Sequence, residues 1–164
     1  MLRYLGIGEM AVGKAGDTIK TVLGSCVGIC LWDCESRTAG LAHVMFHTSE
    51  GHDDTLLLPG KYADTAVKSL FNALRRKIPG TPLLVAKVAG GSAIFARPGS
   101  REKTIGEMNI EAVKREIGAL GIPVIFEDTG GPAGRSVTLD CATGELAVRM
   151  HGKAGWKESE RSSA

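Results

Sequence analysis

The sequence predicts a single α+β domain in which two helices pack against a sheet. One domain is expected because 164 residues fall within the usual domain range. Short apolar runs bounded by glycine and polar turns are typical of strands, whereas two longer segments have apolar residues at helical period. The 22 glycines and an aromatic content of only 5% indicate tight turns and closely packed backbone rather than a helical bundle.

Strands are predicted along the first third of the chain. Thr18–Leu23 is a short β-type run that Gly24-Ser25 interrupts. The apolar runs Cys26–Trp32 and Ala39–Phe46 follow, with the polar segment 33–38 between them. Two such runs around a polar turn predict a β-hairpin.

Two helices are predicted beyond the polar loop at 48–55. The first opens at Pro59-Gly60 and ends at Pro79-Gly80, and the second covers about Asn109 to Leu120, where Gly121 fits the helix end. In the first helix one apolar stripe recurs at helical spacing, formed by Ala63, Ala66, Val67, Leu70, Phe71 and Leu74.

Further strands complete the predicted domain, which covers residues 1–151. Leu83–Val88 and Val124–Phe126 are apolar strand candidates, and Arg135–Leu139 with Glu145–Arg149 predicts a terminal hairpin around Thr143-Gly144. The polar C-terminal tail, 152–164, is expected to be flexible.

Composition argues against several classes of function. A net charge of +2 does not support a nucleic-acid footprint. No apolar run approaches the roughly 18 residues of a membrane helix, and the N-terminus lacks the features of a secretory signal. Three of the four cysteines lie within residues 26–34, which fits no secreted disulfide framework. A cytoplasmic protein with reduced thiols is therefore expected, and since neither helix demands a partner, a monomer.

Cys26 and His43 form the strongest candidate site. If residues 33–36 form the hairpin turn, the register places Cys26 directly opposite His43, with Cβ atoms about 4.5–5.5 Å apart. A thiol and an imidazole at that separation can act as nucleophile and base, and an imidazolium would stabilise the reactive thiolate. A one-residue bulge would instead separate the two side chains onto different faces.

Each of these two residues also has a purely structural interpretation. Free cysteine is among the most buried residue types, and a histidine at such a position can be a core residue with a satisfied hydrogen bond. The Gly24-Ser25 turn favours the functional interpretation, because backbone N–H groups there can converge on an oxyanion. Spacing alone leaves both interpretations open.

A metal site is a weaker candidate. Cysteines four residues apart on a strand share a face but are about 13 Å apart, so they cannot converge on one ion. Cys30, Cys34 and Cys141 are therefore expected to be packing residues. The ligands considered are Cys26, Cys30, Cys34, His43, His47 and His52.

Two glycine-rich segments and one basic cluster also have structural interpretations. Gly90-Gly91-Ser92 and Gly130-Gly131 match neither the Walker spacing nor the dinucleotide fingerprint, so turns and close backbone approach explain them better. The basic cluster is expected to be a solvated helix face, and it consists of Lys68, Arg75, Arg76 and Lys77.

Eight short segments between Leu23 and Gly144 occur in the same order in a known family, and the region of resemblance covers about residues 4 to 150. They are Leu23-Gly-Ser-Cys-Val27, Ala42-His-Val-Met45, Pro59-Gly-Lys-Tyr-Ala-Asp64, Lys87-Val-Ala-Gly-Gly-Ser92, Asn109-Ile110, Asp128-Thr-Gly-Gly131, Arg135-Ser136 and Thr143-Gly144. Together they resemble the CheD family, the chemoreceptor glutamine deamidases. The fold that this resemblance implies, a layered α/β/β sandwich, agrees with the elements predicted above.

The resemblance implies a deamidase that hydrolyses protein glutamine to glutamate, without cofactor or metal. Its Cys–His–Thr triad corresponds to Cys26, His43 and Thr21, with Thr18 as an alternative third member. The expected partners are chemoreceptor signalling domains and, as a further candidate, the CheC phosphatase. Two other functions stay open: a protein that chiefly docks to CheC or a receptor, and a papain-like protease or transglutaminase that resembles the family only locally.

Overall fold

The computed structural model describes residues 1–152 and 157–158, which form one α+β domain of ten strands and two helices. Of the predicted flexible tail, residues 157 and 158 form an edge strand, and the remainder beyond residue 152 lies outside the described residues. The elements are β1 (Leu2–Tyr4), β2 (Met10–Lys14), β3 (Thr18–Leu23), β4 (Val27–Asp33), β5 (Thr38–Val44), α1 (Ala63–Arg75), β6 (Leu84–Gly90), α2 (Ile105–Ala119), β7 (Val124–Thr129), β8 (Arg135–Asp140), β9 (Leu146–Met150) and β10 (Lys157–Glu158).

The strands form two five-stranded sheets rather than one. The first sheet has the order β1-β3-β8-β9-β10 and the second has the order β2-β5-β4-β6-β7. Both are mixed, since β1 pairs parallel to β3 and β6 pairs parallel to β7, whereas the other neighbours are antiparallel. The predicted strands are present, but the sequence analysis missed β1 and β2, which together contribute one edge strand to each sheet.

Two cores define the layers. One lies between the helices and the second sheet, and it includes Val27, Ile29 and Leu31 of β4. The other lies between the two sheets and includes Cys30 and Trp32 of the same strand. Because side chains alternate across a strand, β4 is buried on both faces, which explains its continuous apolar sequence. The result is the expected layered α/β/β sandwich.

The helices lie where the apolar periodicity predicts them, but their boundaries differ. The first helix, Ala63–Arg75, is shorter than the predicted span from Pro59-Gly60 to Pro79-Gly80. Along α1 the predicted stripe is buried except for the half-buried Phe71. The second helix begins at Ile105, four residues before the predicted start at Asn109. Its start is fixed by a capping box, in which Thr104 accepts from the Glu107 amide and the Glu107 side chain accepts from the Thr104 amide. This Thr-x-x-Glu signal was available in the sequence.

The β4–β5 hairpin is confirmed, but its predicted register is wrong. The strands pair from Asp33↔Thr38 to Val27↔Val44, so the turn comprises residues 34–37 rather than 33–36. Asp33 explains the shift, since its carboxylate accepts hydrogen bonds from Ser36 and from the Leu83 amide and holds the end of β4 in the ladder. The actual register is displaced by two residues, which exchanges partners but keeps every side chain on its predicted face.

Neither α1 nor α2, the helices of the described residues, has the length and apolar character that crossing a bilayer requires.

Candidate active site

The three predicted site residues lie where the chain passes from the first sheet to the second. Thr21 is on β3 of the first sheet and His43 is on β5 of the second sheet. Cys26 lies in the segment 24–26 that links β3 to β4. Thr21 and His43 are each only 4% exposed, whereas Cys26 is half-buried. A partly accessible thiol and an enclosed imidazole therefore belong to the same junction between the sheets.

A hydrogen bond between the sheets fixes the His43 ring. The Thr21 Oγ1 atom lies 2.7 Å from His43 Nδ1 and donates its hydrogen to the Leu5 carbonyl oxygen at 2.8 Å. Because a threonine hydroxyl has a single hydrogen, Thr21 must accept from Nδ1–H. The neutral ring therefore keeps Nε2 as its free acceptor, which is the atom a general base needs.

Thr21 rather than Thr18 is the threonine that contacts this histidine. Thr18 begins β3, three residues before Thr21, and odd separations on a strand put side chains on opposite faces. Ile19, Thr21 and Leu23 are the buried, inward positions of β3. The alternative third member left open by the sequence thus faces away from His43.

Cys26 is not directly opposite His43, contrary to the register predicted from the sequence. Gly28 is the residue that pairs with His43, and Cys26 precedes the ladder by one residue. The two-residue difference leaves Cys26 on the His43 side of the hairpin, facing the first sheet, where it packs against the inter-sheet core. The two residues are therefore diagonal neighbours on one face, which strand geometry puts about 7–8 Å apart.

Burial favours the neutral form of both groups. Desolvation raises the pKa of the Cys26 thiol above its usual range, although a hydrogen bond from its own backbone amide works in the opposite direction. Desolvation also lowers the pKa of His43 to about 4, against a smaller raising effect of the Glu9 carboxylate. The expected thiolate–imidazolium pair is therefore not the favoured resting state. Such a site suits base catalysis, in which the thiol loses its proton as it attacks.

The segment that holds Cys26 is tied down by its carbonyl groups. The Gly24 carbonyl accepts from the Ser92 amide at 2.9 Å, and the Cys26 carbonyl accepts from the Gly91 amide at 2.8 Å. The Ser25 carbonyl accepts from the side-chain amide of Asn109 at 3.0 Å. The turn predicted for residues 90–92 is not observed, since Gly90 ends β6 and Gly91 and Ser92 belong to no turn. The predicted close backbone approach is present, because these residues contact residues 24–26, the nucleophile segment.

Gly90 shows why the close approach of residues 90–92 to the segment 24–26 needs glycine. Its φ of 102° is a conformation that other residues rarely adopt. A Cβ atom there would also collide with the Cys26 carbonyl oxygen. A side chain at position 90 would therefore displace the segment that holds the candidate nucleophile.

The other glycine pair and the basic cluster have the structural roles predicted for them. Gly130 and Gly131 both have positive φ, and the buried Arg135 holds their loop through Asp128, at 2.5 Å, and through the Gly130 carbonyl. The basic side chains of the predicted cluster are solvent-exposed, and they are Lys68, Arg75, Arg76 and Lys77.

The remaining cysteines divide between core and surface. Cys30 and Cys141 are buried, and burial raises their pKa values to about 12 and about 11. Cys34 is exposed in the hairpin turn, outside β4, so its expected role in packing is wrong. Within residues 1–152 and 157–158, no group of three or more His, Cys, Asp or Glu side chains could hold a metal ion.

A cavity of about 790 Å³ reaches the imidazole from the side of the first sheet. Thr21 and His43 contribute to its lining, and the segment Tyr4–Ile7 forms one of its walls. The outer face of β8 and β9 contributes Ser136 and Arg149 among other residues. Cys26 is not among the lining residues of this cavity.

An α/β/β sandwich with a cysteine and a threonine-bound histidine at the junction of its sheets defines a class of candidate thiol-dependent hydrolases. The family model described as CheD chemotactic sensory transduction matches residues 45–150. The chain is 44% identical over 153 residues to the chemoreceptor glutamine deamidase CheD of Thermotoga maritima, covering 93% of this chain and 94% of that protein.

Two archaeal relatives give the same result. The chain is 42% identical to a probable chemoreceptor glutamine deamidase CheD of Methanococcus vannielii, with 91% of this chain and 95% of the relative covered. It is 40% identical to the probable enzyme of that name in Pyrococcus horikoshii, with 88% of this chain and 90% of the relative covered. The chain belongs to the CheD family.

Proposed function

We propose that this protein is a chemoreceptor glutamine deamidase, an amidohydrolase that converts glutamine side chains of receptor signalling domains to glutamate. Membership of the CheD family supports the substrate class, since relatives at 44% and 42% identity bear that name. The observation that supports the chemistry best is the 2.7 Å contact between Thr21 Oγ1 and His43 Nδ1. This contact fixes the buried imidazole in the tautomer whose basic atom is Nε2, and His43 lies on the same face of the hairpin as Cys26.

The first half of the reaction forms a thioester. The Cys26 sulfur attacks the carboxamide carbon of the glutamine while its proton moves to His43 Nε2. The carbonyl π electrons move to oxygen, which gives a tetrahedral oxyanion. His43 then protonates the departing nitrogen, the C–N bond breaks, and ammonia leaves. The depressed pKa of His43, about 4, makes its imidazolium a strong acid for this second proton transfer.

The second half hydrolyses the thioester. Water attacks the acyl carbon while His43 Nε2 takes one of its protons, and collapse of the tetrahedral intermediate breaks the C–S bond. The proton returns to sulfur, which releases glutamate and restores the neutral thiol. Throughout the cycle Thr21 accepts a hydrogen bond from His43 Nδ1–H and keeps the ring in one tautomer. This role is mainly geometric, because a hydroxyl has no charge to stabilise the imidazolium.

A cytoplasmic monomer acting on receptor signalling domains is the setting that fits this proposal, with the CheC phosphatase as a candidate second partner. A protein that served only for docking would not need a threonine-bound imidazole beside a thiol. The competing docking interpretation therefore predicts equal receptor binding and equal receptor mass with and without Cys26.

The test is the intact mass of a purified receptor signalling domain after incubation with the protein. Wild type should convert each target amide to a carboxylate and release an equivalent of free ammonia without peptide cleavage. Cys26→Ala should release none while retaining the wild-type melting temperature. An unchanged receptor mass with wild type would favour the docking interpretation, and peptide cleavage would favour a protease.

A further inference from the structure

Asn109 is a buried polar residue that contacts both halves of the candidate site. It lies on α2, it is 0% exposed, and its side-chain amide donates to two carbonyl oxygens, that of Ser25 at 3.0 Å and that of Met45 at 2.9 Å. Ser25 precedes the candidate nucleophile, and Met45 follows His43 by two residues. A single NH₂ group thus joins the nucleophile segment, residues 24–26, to the end of β5 through two hydrogen bonds.

The orientation of this amide is determined by its partners. The reversed orientation would put Oδ1 against two carbonyl oxygens, so only the observed one is favourable. Its own Oδ1 atom is buried and has no hydrogen-bond partner among the described residues. A buried acceptor left unpaired costs free energy, so packing alone does not account for an asparagine at this position.

Peptide geometry transmits the effect of Asn109 to Cys26. The Ser25 carbonyl and the Cys26 N–H belong to one peptide unit, and in a trans peptide they point in opposite directions. No cis peptide bond occurs within the described residues. By holding the Ser25 carbonyl, Asn109 therefore also sets the direction of the Cys26 N–H. The same backbone N–H acts to lower the pKa of the Cys26 thiol, against the larger raising effect of burial.

A donor beside the attacking sulfur has a specific use in acyl transfer. The oxyanion of the tetrahedral intermediate forms on the carbon that is bonded to that sulfur, and a preorganised N–H there stabilises the transition state. A small error in the direction of this N–H lowers the rate strongly, since a misplacement of about 1 Å can reduce the rate by about 100-fold.

We propose that Asn109 is a positioning residue that aims the Cys26 backbone N–H at the oxyanion and fixes the nucleophile segment against the end of β5. The proposal rests on the thiol mechanism proposed above. It adds a residue whose side chain does not touch the substrate and acts through the Ser25–Cys26 peptide.

Two reagents separate this role from a merely structural one. Acylation of Cys26 by p-nitrophenyl acetate passes through a tetrahedral oxyanion: sulfur bonds to the acyl carbon, His43 takes the thiol proton, and p-nitrophenolate leaves. Alkylation by iodoacetamide is a direct displacement of iodide and forms no oxyanion. A Cys34→Ser background removes the exposed thiol, and Cys30 and Cys141 are buried. Both rates are measured well below the melting temperature of every variant.

The variants are Asn109→Ala and Asn109→Asp, with Val113→Ala as the matched control. Val113 is fully buried on the same helix but packs in the core between the helices and the second sheet. Both Asn109 variants should lower the acylation rate and the kcat for receptor deamidation by about 10- to 100-fold. Alkylation and KM should stay near their wild-type values, and Val113→Ala should lower only the melting temperature.

The proposal is overturned if acylation and alkylation change together, or if Val113→Ala slows acylation as much as the Asn109 variants do. If Asn109→Ala does not fold, Asn109→Asp, which keeps the side-chain shape, decides between the outcomes. Failure of the proposed function would look different, because wild type would then be acylated at Cys26 without deamidating the receptor.

Discussion

Replacing Thr21 with valine removes the hydrogen-bond partner that fixes the candidate base. Valine keeps the shape of threonine but leaves the His43 Nδ1–H, now 2.7 Å from a hydroxyl oxygen, without an acceptor in a site that is 4% exposed. The Leu5 carbonyl loses its donor as well. An unsatisfied buried polar group costs about 1–3 kcal/mol.

The unpaired ring can recover this energy only by turning or by moving its hydrogen to Nε2, and either change removes the base from the thiol. If the whole cost of about 1–3 kcal/mol is added to the activation free energy of the reaction, kcat should drop by roughly 5- to 150-fold. The assay is the initial rate of ammonia release from a receptor signalling domain at saturating substrate.

Two variants on the same strand make this prediction specific. Thr18→Val makes the same chemical change on the opposite face of β3 and should leave kcat near that of wild type. Thr21→Ser restores the hydroxyl and should recover most of the lost rate. The reasoning fails if Thr21→Val keeps the wild-type rate, or if Thr18→Val is the more damaging change.

Three further predictions concern pH, the nucleophile segment and the core. With the His43 pKa at about 4, the rate should rise with pH through about 4, and an acid limb near 6.5 would contradict the burial argument. The same shift means that the unfolded chain binds more protons between these values, so the free energy of unfolding should fall as pH drops from about 6.5 to about 4, and His43→Gln should lack this contribution. Gly90→Ala should lower both the deamidation rate and the melting temperature, because its Cβ would meet the Cys26 carbonyl oxygen. Full activity would show that residues 24–26 can move freely. Leu70→Ala in the helix-side core should cost about 2–5 kcal/mol of stability in urea titrations yet leave Cys26 alkylation unchanged, whereas altered alkylation would show that the two cores are coupled.

The fold was predictable where apolar patterns are long. The α1 stripe and the β4–β5 hairpin depend on local periodicity, and both are present. The strands β1 and β2 were missed because β1 has only three residues, all exposed, and the pattern of β2 is short. The division into two sheets depends on pairings such as β3 with β8, which join residues more than a hundred positions apart and leave no local signal.

The site was predictable in its members and less so in its geometry. The family motifs identified Cys26, His43 and Thr21, and the structure brings Thr21 and His43 into contact. The hairpin register failed because the Asp33 side chain moves the turn by one residue at each end, which no count of apolar positions reveals. The sequence offered Asn109 as a helix start and as part of the family resemblance, but not as a site residue, because its contacts span 84 and 64 residues of sequence.

Trapping the covalent intermediate tests the nucleophile most directly. Acid quenching during the first turnovers with a receptor signalling domain, followed by proteolysis and mass spectrometry, should reveal a thioester between a receptor glutamyl group and the peptide that contains Cys26. His43→Ala should lower its yield, and Cys26→Ser should abolish it. Deamidation that proceeds with no adduct on Cys26, or with the adduct on Cys34, would contradict the assignment.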